Sequence, residues 1–427
     1  MSVPNHKEPW LRGAEEFRGQ RLLPHVIDYH AHEGPSRVFN SMPRTQNVAD
    51  GFRDVDMKTM ATAVDFMAWW LDSHSKDVPK EKKVLAYVGV ADIRYPVLFF
   101  AAIKAGWMKL AGTMAFMVIP TFSTAATAVW GPSTMPPSGQ LVSSIMNQTT
   151  VRALYIPPST VEQWWTCDPD ARKKAEGLDF VLFGGGPLAP NVGQKLSELT
   201  DLCQMYGSIE SGQIQMLVPQ PGEWQYLEPN PAEECDMQEV EKDSGLYELV
   251  LHQDDKFSGR RTLSHTFPDA KEWRTKDLFT PHPTKPGLWQ FHSRTDDLIA
   301  LGTSAKVFPV PMETALQGDP NIAGALVVGN ARPAVVLITE PAQSMSDISK
   351  EEFIDKIWPS VVEANAATPT HGKISRSRIL LTDPAVGFAR TPKGTIARKK
   401  SEALYTAAID SVFRDGMVSD NSSTSAF

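Results

Sequence analysis

Short apolar runs alternate with segments of helical periodicity along residues 59–200. This alternation limits the possible folds of the chain more than any other feature of its sequence. Residues 59–72, TMATAVDFMAWWLD, carry apolar side chains at helical spacing, and residues 84–90, VLAYVGV, form an apolar run typical of a buried strand. The same alternation returns at residues 151–156 and 180–183 and in the segment after Pro190. Strands and helices that interleave in this way predict a layered α/β unit.

The pattern changes at Leu246, where YELVLH, WQFHS and LIALG are short runs of alternating polarity between turns rich in proline and glycine. Such runs indicate a compact antiparallel β segment. A smaller unit is expected beyond Leu298. Its expected elements are strands near 325–328 and 334–338, a helix at 350–366 and a final helix at 401–413.

A chain of 427 residues is too long for one ordinary hydrophobic core, so two or three packed units are expected. We predict an α/β class with α+β elements. A large N-terminal domain of layered sheets and helices, with a β-rich subdomain, is expected at residues 20–297. A small α+β domain is expected at 298–413, and the polar sequence VSDNSSTSAF indicates a disordered tail at 414–427.

Charge and cysteine content exclude several classes of protein. The net charge of −8, with acidic and basic residues mixed, leaves no basic face for nucleic acid. Three widely spaced cysteines fit a reducing compartment better than a disulfide framework or a zinc site. The N-terminal residues lack the apolar core of a signal peptide, and two lysines interrupt the most apolar stretch, residues 95–122. A cytosolic protein without a membrane span is therefore expected.

LFGGGPLAP, residues 182–190, follows an apolar strand with Gly184, Gly185 and Gly186 and then a proline that can open a helix. A turn of this kind lets the backbone approach a flat ligand closely, and its N–H groups can bind an anion. Taken alone, the segment also fits an ordinary tight turn between a strand and a helix.

YGSIE, residues 206–210, combines an aromatic, a glycine and a carboxylate. Tyr206 can stack on a planar base, Gly207 permits close approach, and Glu210 can hold Mg²⁺ or orient a phosphate. The structural alternative is a loop in which Ser208 caps a helix.

Three charged segments lie farther along the chain. WRTKDLF places Asp277 after a predicted strand, where a carboxylate can accept hydrogen bonds from both hydroxyls of a ribose. HSRTDDLIALGTSAK carries Arg294, two aspartates and a lysine where the β-rich segment meets the small unit. RTPKGTIARK places Lys393 in a loop near the end. Each segment, considered singly, also fits a solvated charged face.

The order of these segments carries more information than any one of them. GGGPL, YGSIE, TKDLF, SRTDDLI and PKGTIAR resemble the acyl-adenylate-forming superfamily, which includes acyl-CoA synthetases, luciferases and adenylation domains of nonribosomal peptide synthetases (NRPS). HVIDYHAHEGPSRVF, AYVGVADIRYPVLFFAAIKAGW and KIWPSVVEANAATPTHGKISRSRILLTDP are similar to the pattern of fungal NRPS-like proteins. The resemblance extends from about residue 20 to 413.

The resemblance implies that a carboxylate attacks the α-phosphate of ATP to give acyl-AMP and pyrophosphate, with ATP or AMP and Mg²⁺ as cofactors. It implies nucleotide-binding roles for a set of residues in the glycine turn, in YGSIE and around the ribose, with Tyr206 stacking on adenine. The set is Gly184, Gly185, Gly186, Tyr206, Gly207, Ser208, Asp277 and Arg294. Glu210 would hold Mg²⁺, Asp296 would be the hinge of the small domain, and Lys393 would bridge the carboxylate and the phosphate.

The partner of such a protein would be a small carboxylic acid. Nothing after Phe413 resembles a carrier domain, so a stand-alone protein would pass its acyl group to a separate carrier protein, to coenzyme A or to a small nucleophile. The sequence assigns neither the acid nor the acceptor.

The sequence also departs from the family pattern. We find no Ser/Thr/Gly-rich phosphate loop after AAIKAGW, and Ile209 stands where threonine is usual. Lys276 and Ser293 replace common glycines, and SAK at 304–306 replaces Gly-Glu-Lys. Loss of one preorganised donor to a developing charge typically costs about 2.7–4 kcal/mol. The missing loop therefore counts against ordinary ATP-dependent adenylation.

Two alternatives remain beside an acid–AMP ligase of secondary metabolism. The first is a repurposed, non-catalytic relative that binds a biosynthetic partner or a carboxylated intermediate, with an exposed apolar surface near Met114, Phe116 and Val118. The second is the product of an incorrect gene model, which would fold poorly.

Overall fold

The computed structural model describes residues 23–74, 84–85, 92–106, 108–109, 126–208, 210–254, 261–342, 348–391 and 394–421. These residues form two compact units. The first comprises Met1–Pro136 and Ser144–Thr150, and the second comprises Pro137–Ser143 and Val151–Phe427, within the described ranges. The predicted boundary at residues 297/298 lies inside the second unit and stays a prediction.

Helices are numbered in chain order through the described ranges. They are α1 (Leu23–Glu33), α2 (Met57–His74), α3 (Arg94–Lys104), α4 (Gly139–Gln148), α5 (Pro158–Cys167), α6 (Ala171–Ala175), α7 (Pro190–Ser197), α8 (Thr262–Thr266), α9 (Pro309–Gln317), α10 (Lys350–Ala366), α11 (Arg398–Leu404) and α12 (Thr406–Asn421).

Strands are numbered in the same way. They are β1 (Val38–Pro43), β2 (Phe52–Asp56), β3 (Val84–Leu85), β4 (Met108–Lys109), β5 (Ala128–Val129), β6 (Ala153–Tyr155), β7 (Phe180–Gly184), β8 (Asp201–Ser208), β9 (Gly212–Ile214), β10 (Tyr226–Leu227), β11 (Cys235–Glu239), β12 (Tyr247–His252), β13 (Glu272–Pro281), β14 (Trp289–Arg294), β15 (Ile299–Ala300), β16 (Lys306–Val307), β17 (Ile322–Val328), β18 (Val336–Pro341) and β19 (Ile379–Leu381).

The first unit packs three helices around one apolar core. Helices α1, α2 and α3 bury Ile27, Met60, Val64 and Phe100 against one another. Strands β1, β2 and β5 form a small sheet, and β3 pairs with β4 in parallel. The predicted helix at 59–72 is thus confirmed as α2, while residues 86–90 of the predicted strand and residues 110–125, with Met114, Phe116 and Val118, lie outside the described residues.

The second unit contains the layered sheet that the alternating pattern predicts. Strands β6, β7 and β8 are parallel and adjacent, and β9 adds antiparallel to β8. Val181, Phe183 and Leu202 are buried, because alternate residues of a strand point to the same face. Helices α5 and α6 connect β6 to β7, and helix α7 connects β7 to β8, as expected for parallel neighbours.

A five-stranded antiparallel sheet, in the order β10-β14-β13-β12-β11, follows. It confirms the β-rich segment for YELVLH and WQFHS and extends it upstream, since β10 and β11 precede Leu246. LIALG belongs to a separate two-stranded sheet, in which β15 pairs with β16. The last part of the second unit holds the sheet β17-β18-β19 with helices α9 and α10 over a shared core. Helix α10 begins at a capping box, in which Ser349 Oγ accepts from Glu352 N and the Glu352 carboxylate accepts from Ser349 N.

The C-terminal helix differs from the expected helix at 401–413. The structure has two helices, α11 and α12, which meet at Tyr405, and α12 continues to Asn421. Apolar residues recur at helical spacing from Ile409 to Met417, which accounts for the longer helix. Residues 422–427 of the predicted tail lie outside the described residues.

A buried ion pair ties α11 to the core of this last part. Arg398 donates from Nη2 to Glu313 Oε2 at 2.5 Å and from Nη1 to Glu313 Oε1 at 3.0 Å. Val327 N also donates to Glu313 Oε1, at 2.6 Å. Burial raises the pKa of Glu313, and the charge of Arg398 opposes that shift. The pair therefore holds α9, β17 and α11 together at one buried point.

We predict that Glu313→Ala lowers the free energy of unfolding by about 2–4 kcal/mol. The partly buried Arg398 guanidinium loses its bidentate partner and keeps only Asp297 and the Val327 carbonyl, and Val327 N loses its acceptor. Urea unfolding followed by circular dichroism measures this change. Asp355→Ala is the matched control, since Asp355 pairs with Arg376 at an exposed site, where a loss below about 1 kcal/mol is expected. Equal losses in the two variants would contradict the prediction.

Candidate functional site

The glycine turn leaves the sheet at the carboxyl end of β7, beside the corresponding end of β8. Gly184 is in register with Met205 on the neighbouring parallel strand. A Cβ at Gly184 would lie 2.9 Å from the Met205 carbonyl oxygen, so only glycine fits that position. Gly185 has φ +91°, a backbone conformation that favours glycine, and a Cβ at Gly186 would meet open space. Ligands of open α/β sheets commonly bind at this edge.

Tyr206 extends from β8 to the antiparallel sheet. Its hydroxyl donates to Asp277 Oδ2 at 2.7 Å, and its ring packs edge-to-face on Phe279 with centroids 5.5 Å apart. Arg294 Nη1 donates to the other carboxylate oxygen, Asp277 Oδ1, at 2.6 Å. Asp277 and Arg294 face each other in register on β13 and β14. The structure thus brings three of the predicted site residues, Tyr206, Asp277 and Arg294, into one cluster.

The cluster is electrostatically unusual because its carboxylate is buried. Burial raises the pKa of Asp277 above its ordinary value, while the hydrogen bond from Tyr206 and the charge of Arg294 oppose the shift. Burial and the Asp277 carboxylate together raise the pKa of Tyr206 well above 10. Tyr206 therefore acts as a hydrogen-bond donor at neutral pH. Each Asp277 oxygen retains a further lone pair that can accept from a ligand hydroxyl.

Asp296 lies next to this cluster, in a 3₁₀ turn that follows β14. The Lys276 ammonium lies 3.2 Å from Asp296 Oδ1, and Arg294 Nη2 lies 3.9 Å from Asp296 Oδ2. Lys276 has φ +64°, and Ser304 has φ +65°. Both residues stand where the family resemblance expects glycine, so the backbone keeps a conformation that favours glycine after the residue itself has changed.

The first three residues of YGSIE, Tyr206 to Ser208, end strand β8 and pair with β9, and Glu210 lies in the turn between the two strands. Ser208 Oγ accepts from Ser211 N at 3.1 Å and lies 3.0 Å from Ser211 Oγ. A Cβ at Gly207 would lie 2.3 Å from the Gly212 carbonyl oxygen, so this position requires glycine. The structural alternative with a helix-capping Ser208 is therefore wrong, because an antiparallel strand follows the turn.

Glu210 lies in the same turn, partly exposed, and Ile209 lies outside the described residues. The described part of the chain has no group of three His, Cys, Asp or Glu side chains that could hold a metal ion. Mg²⁺ is often bound through one or two carboxylates together with substrate phosphates. A single carboxylate at Glu210 fits that mode of binding, and it does not fit a site built from protein ligands alone.

Lys393 and the preceding Pro392 lie outside the described residues, and Thr391 and Gly394 are the described residues on either side of them. Gly394 N donates to Thr391 O at 2.9 Å, and the Thr391 and Thr395 hydroxyls lie 2.7 Å apart. Arg390 Nη1 donates to Gly394 O at 3.0 Å, and Arg390 also pairs with Glu340. The two ends of the segment that carries Lys393 are thus joined to each other and to β18.

The structure adds a residue that the sequence patterns did not single out. Glu162, on α5, accepts a hydrogen bond at Oε1 from Ala189 N at 2.9 Å, where the glycine turn ends. Burial raises the pKa of Glu162 to about 7, and the bond from Ala189 opposes the shift. No motif marks this glutamate, since it lies in an ordinary amphipathic helix far from the turn in sequence.

Two cavities are lined in part by Ile214, the β9 partner of Tyr206, but by none of Tyr206, Asp277 and Arg294. One of about 240 Å³ is lined by residues that include Ser211, Glu233 and Arg261. Another of about 310 Å³ is an apolar groove along β7 and β8, with Phe180 and Met205 in its wall.

No described helix is long and apolar enough to cross a membrane.

The fold of the chain is that of an adenylation domain. The adenylation domain of a carboxylic acid reductase from Segniliparus rugosus, solved with AMP and a co-purified carboxylic acid, superposes with a TM-score of 0.67 at 12% identity. The match covers 95% of this chain and 96% of that one. In addition, residues 296–416 match the family described as AMP-binding enzyme C-terminal domain.

Sequence relatives are fungal adenylate-forming proteins. The chain is 34% identical over 289 residues to a carboxylic acid reductase of Neurospora crassa. The aligned residues make up 66% of this chain and 27% of the relative. It is 29% identical over 320 residues to the adenylate-forming reductase Nps11 of Serpula lacrymans, and the aligned residues make up 71% of this chain and 28% of that relative. The chain spans about a quarter of the length of these relatives. The resemblance to acyl-adenylate-forming proteins is thereby confirmed.

We predict that Tyr206→Phe lowers the free energy of unfolding by about 1–3 kcal/mol, because it removes a hydrogen bond to a buried carboxylate. Chemical denaturation measures the loss. Tyr155→Phe is the matched control, since the Tyr155 hydroxyl makes no hydrogen bond to the described part of the chain, and its change should stay within about 0.5 kcal/mol. Equal losses of unfolding free energy in Tyr206→Phe and Tyr155→Phe would contradict the assigned role of the Tyr206 hydroxyl.

A second prediction concerns pH. The pKa of Glu162 is about 7 in the folded chain against an ordinary 4.5, so the folded state binds the proton more tightly and ionisation lowers stability as pH rises through this window. Glu162→Gln removes that penalty. We expect it to be more stable than wild type by about 1–3 kcal/mol at pH 8, with the gain shrinking toward pH 4.5.

Thermal and urea melts of both proteins across pH 4.5–8 measure the pH effect. Glu198→Gln, an exposed glutamate at the other end of α7, should show a flat difference from wild type. A gain for Glu162→Gln that does not change with pH would show that Glu162 titrates normally.

Proposed function

We propose that this chain is an NRPS-like adenylate-forming protein that activates or handles a carboxylic acid as acyl-AMP. The observation that carries the proposal is the cluster in which Asp277 is held between Tyr206 and Arg294, on a fold shared with an adenylation domain. The relatives' printed names, carboxylic acid reductase and adenylate-forming reductase, support the same chemistry.

Asp277 would bind the ribose. Two donors already fix its orientation, one on each oxygen, and its remaining lone pairs can accept from two neighbouring hydroxyls. Because Tyr206 and Arg294 hold the carboxylate before any ligand arrives, little orientational freedom is lost on binding. Tyr206, Gly207 and Ser208 would then lie along the base and sugar.

The glycine turn would contact the adenine and acyl groups. Its close packing at Gly184 and the left-handed Gly185 bring backbone N–H groups to the sheet edge without intervening side chains. Glu210 would hold Mg²⁺ bound to the phosphates, and the metal would supply neutralisation of the phosphate charge. The Lys393 ammonium would meet the attacking carboxylate and the α-phosphate.

Asp296 would be the hinge of a small domain that begins near residue 298 and corresponds to the matched C-terminal family at 296–416. Its contacts with Lys276 and Arg294 join the hinge to the ribose site. The acyl acceptor would be a separate carrier protein, coenzyme A or a small nucleophile, and a carrier protein or biosynthetic enzyme would be the partner in trans, in the cytosol. Without a phosphate loop of the family type, neutralisation of the phosphate charge would depend on Mg²⁺ at Glu210 and on the Lys393 ammonium.

ATP–pyrophosphate exchange and trapping of acyl-AMP with hydroxylamine, over a panel of aryl and aliphatic acids, test the proposed function. We predict that Asp277→Ala raises KM for ATP at least about tenfold. Lys393→Ala should lower kcat by about a hundredfold or more, since one donor to a developing charge is lost.

Asp355→Ala, on the exposed surface, is the control and should behave as wild type. Absence of exchange with every acid, together with no binding of AMP by the folded protein, would overturn the proposal. Turnover that survives Asp277→Ala and Lys393→Ala would overturn the assigned roles.

A further inference from the structure

The exit of the glycine turn depends on one hydrogen bond from another helix. Ala189 immediately precedes α7, which begins with Pro190, and no side chain caps this end of the helix. Proline has no N–H to donate, so the Ala189 N–H is the last backbone donor before the helix. That donor is taken by Glu162 Oε1 at 2.9 Å. Helix α5 thus fixes the point at which the turn joins α7.

The turn is held at both ends and is open in its middle. At its entrance, Gly184 packs against the Met205 carbonyl oxygen with no room for a Cβ. At its exit, Ala189 is bonded to Glu162. Between these points, Gly185 adopts φ +91°, and neither Gly185 nor Gly186 has an atom within 4 Å of a Cβ position. The middle of the turn is therefore free to meet a ligand, and its path is set by its two ends.

The hydrogen-bond acceptor for Ala189 N is a glutamate, whose side chain can ionise. A neutral glutamine could accept the same bond without the cost of burying an ionisable group. Burial of Glu162 carries such a cost, and the hydrogen bond from Ala189 opposes it only in part. Groups that are costly for folding tend to cluster at functional sites. The turn beside it is the one that the proposed function places against the adenylate.

We propose that Glu162 is a positioning residue, which holds the exit of the glycine turn at Ala189 so that the turn presents its backbone to an adenine nucleotide. This inference rests on the proposed function for its ligand. It assigns Glu162 no contact with the ligand, because its effect passes through Ala189.

Amide hydrogen exchange of the full chain without ligand tests the positioning directly. In Glu162→Ala, exchange in the peptide 184–193 should accelerate about tenfold, which is the change expected when one partly buried hydrogen bond is lost. Glu162→Gln should exchange at the wild-type rate, because its amide oxygen still accepts from Ala189. Glu198→Ala, which removes an exposed carboxylate from the other end of α7, should also match wild type.

Isothermal titration with AMP adds the functional arm. Glu162→Ala should weaken AMP binding about tenfold, with Glu162→Gln and Glu198→Ala close to wild type. A merely structural role would lower the melting temperature of Glu162→Ala without a selective loss of AMP affinity. Wild-type affinity in Glu162→Ala would therefore overturn the inference.

The two arms separate the possible failures. If wild type binds no AMP, the proposed function fails, and the exchange experiment alone decides whether Glu162 holds the turn. Unchanged exchange at 184–193 in Glu162→Ala, or acceleration spread evenly over the whole chain, would overturn the inference whatever the affinity for AMP.

Discussion

The buried carboxylate of Asp277 is the interaction on which the candidate site depends. It accepts from Tyr206 on the parallel sheet and from Arg294 on the antiparallel sheet, so one side chain fixes the relative positions of two layers of the second unit. Such a carboxylate is costly unless its oxygens are hydrogen-bonded. The same bonds that offset the cost also orient the oxygens, and structure and proposed ligand binding therefore depend on the same contacts.

Much of the fold and part of the site could be predicted from local sequence. The alternation of strands and helices gave the layered sheet, and helix α10 matches its predicted limits at 350–366. The glycine turn and Tyr206 lie at the end of adjacent strands because parallel strands share one carboxyl edge. Lys276 and Ser304 show why residue identity alone can mislead, since both retain a positive φ after loss of glycine.

Other features depend on contacts that no local pattern records. Glu162 reaches Ala189 across 27 residues, and Arg398 reaches Glu313 across 85. Glu162, Glu313 and Arg398 look like ordinary charged positions of helices in the sequence. Their burial arises only when the helices pack, so a prediction from periodicity cannot separate them from solvated charges. The same reason explains why Ser208 suggested a helix cap and instead closes a turn between two strands.

The most direct test of the account compares AMP with 2′,3′-dideoxy-AMP by isothermal titration against the wild-type chain. If Asp277 accepts both ribose hydroxyls, the dideoxy nucleotide should bind at least about tenfold more weakly, because the carboxylate then loses its ligand partners while it stays buried. Equal affinities for the two nucleotides would contradict the role of the Tyr206–Asp277–Arg294 cluster in ribose recognition.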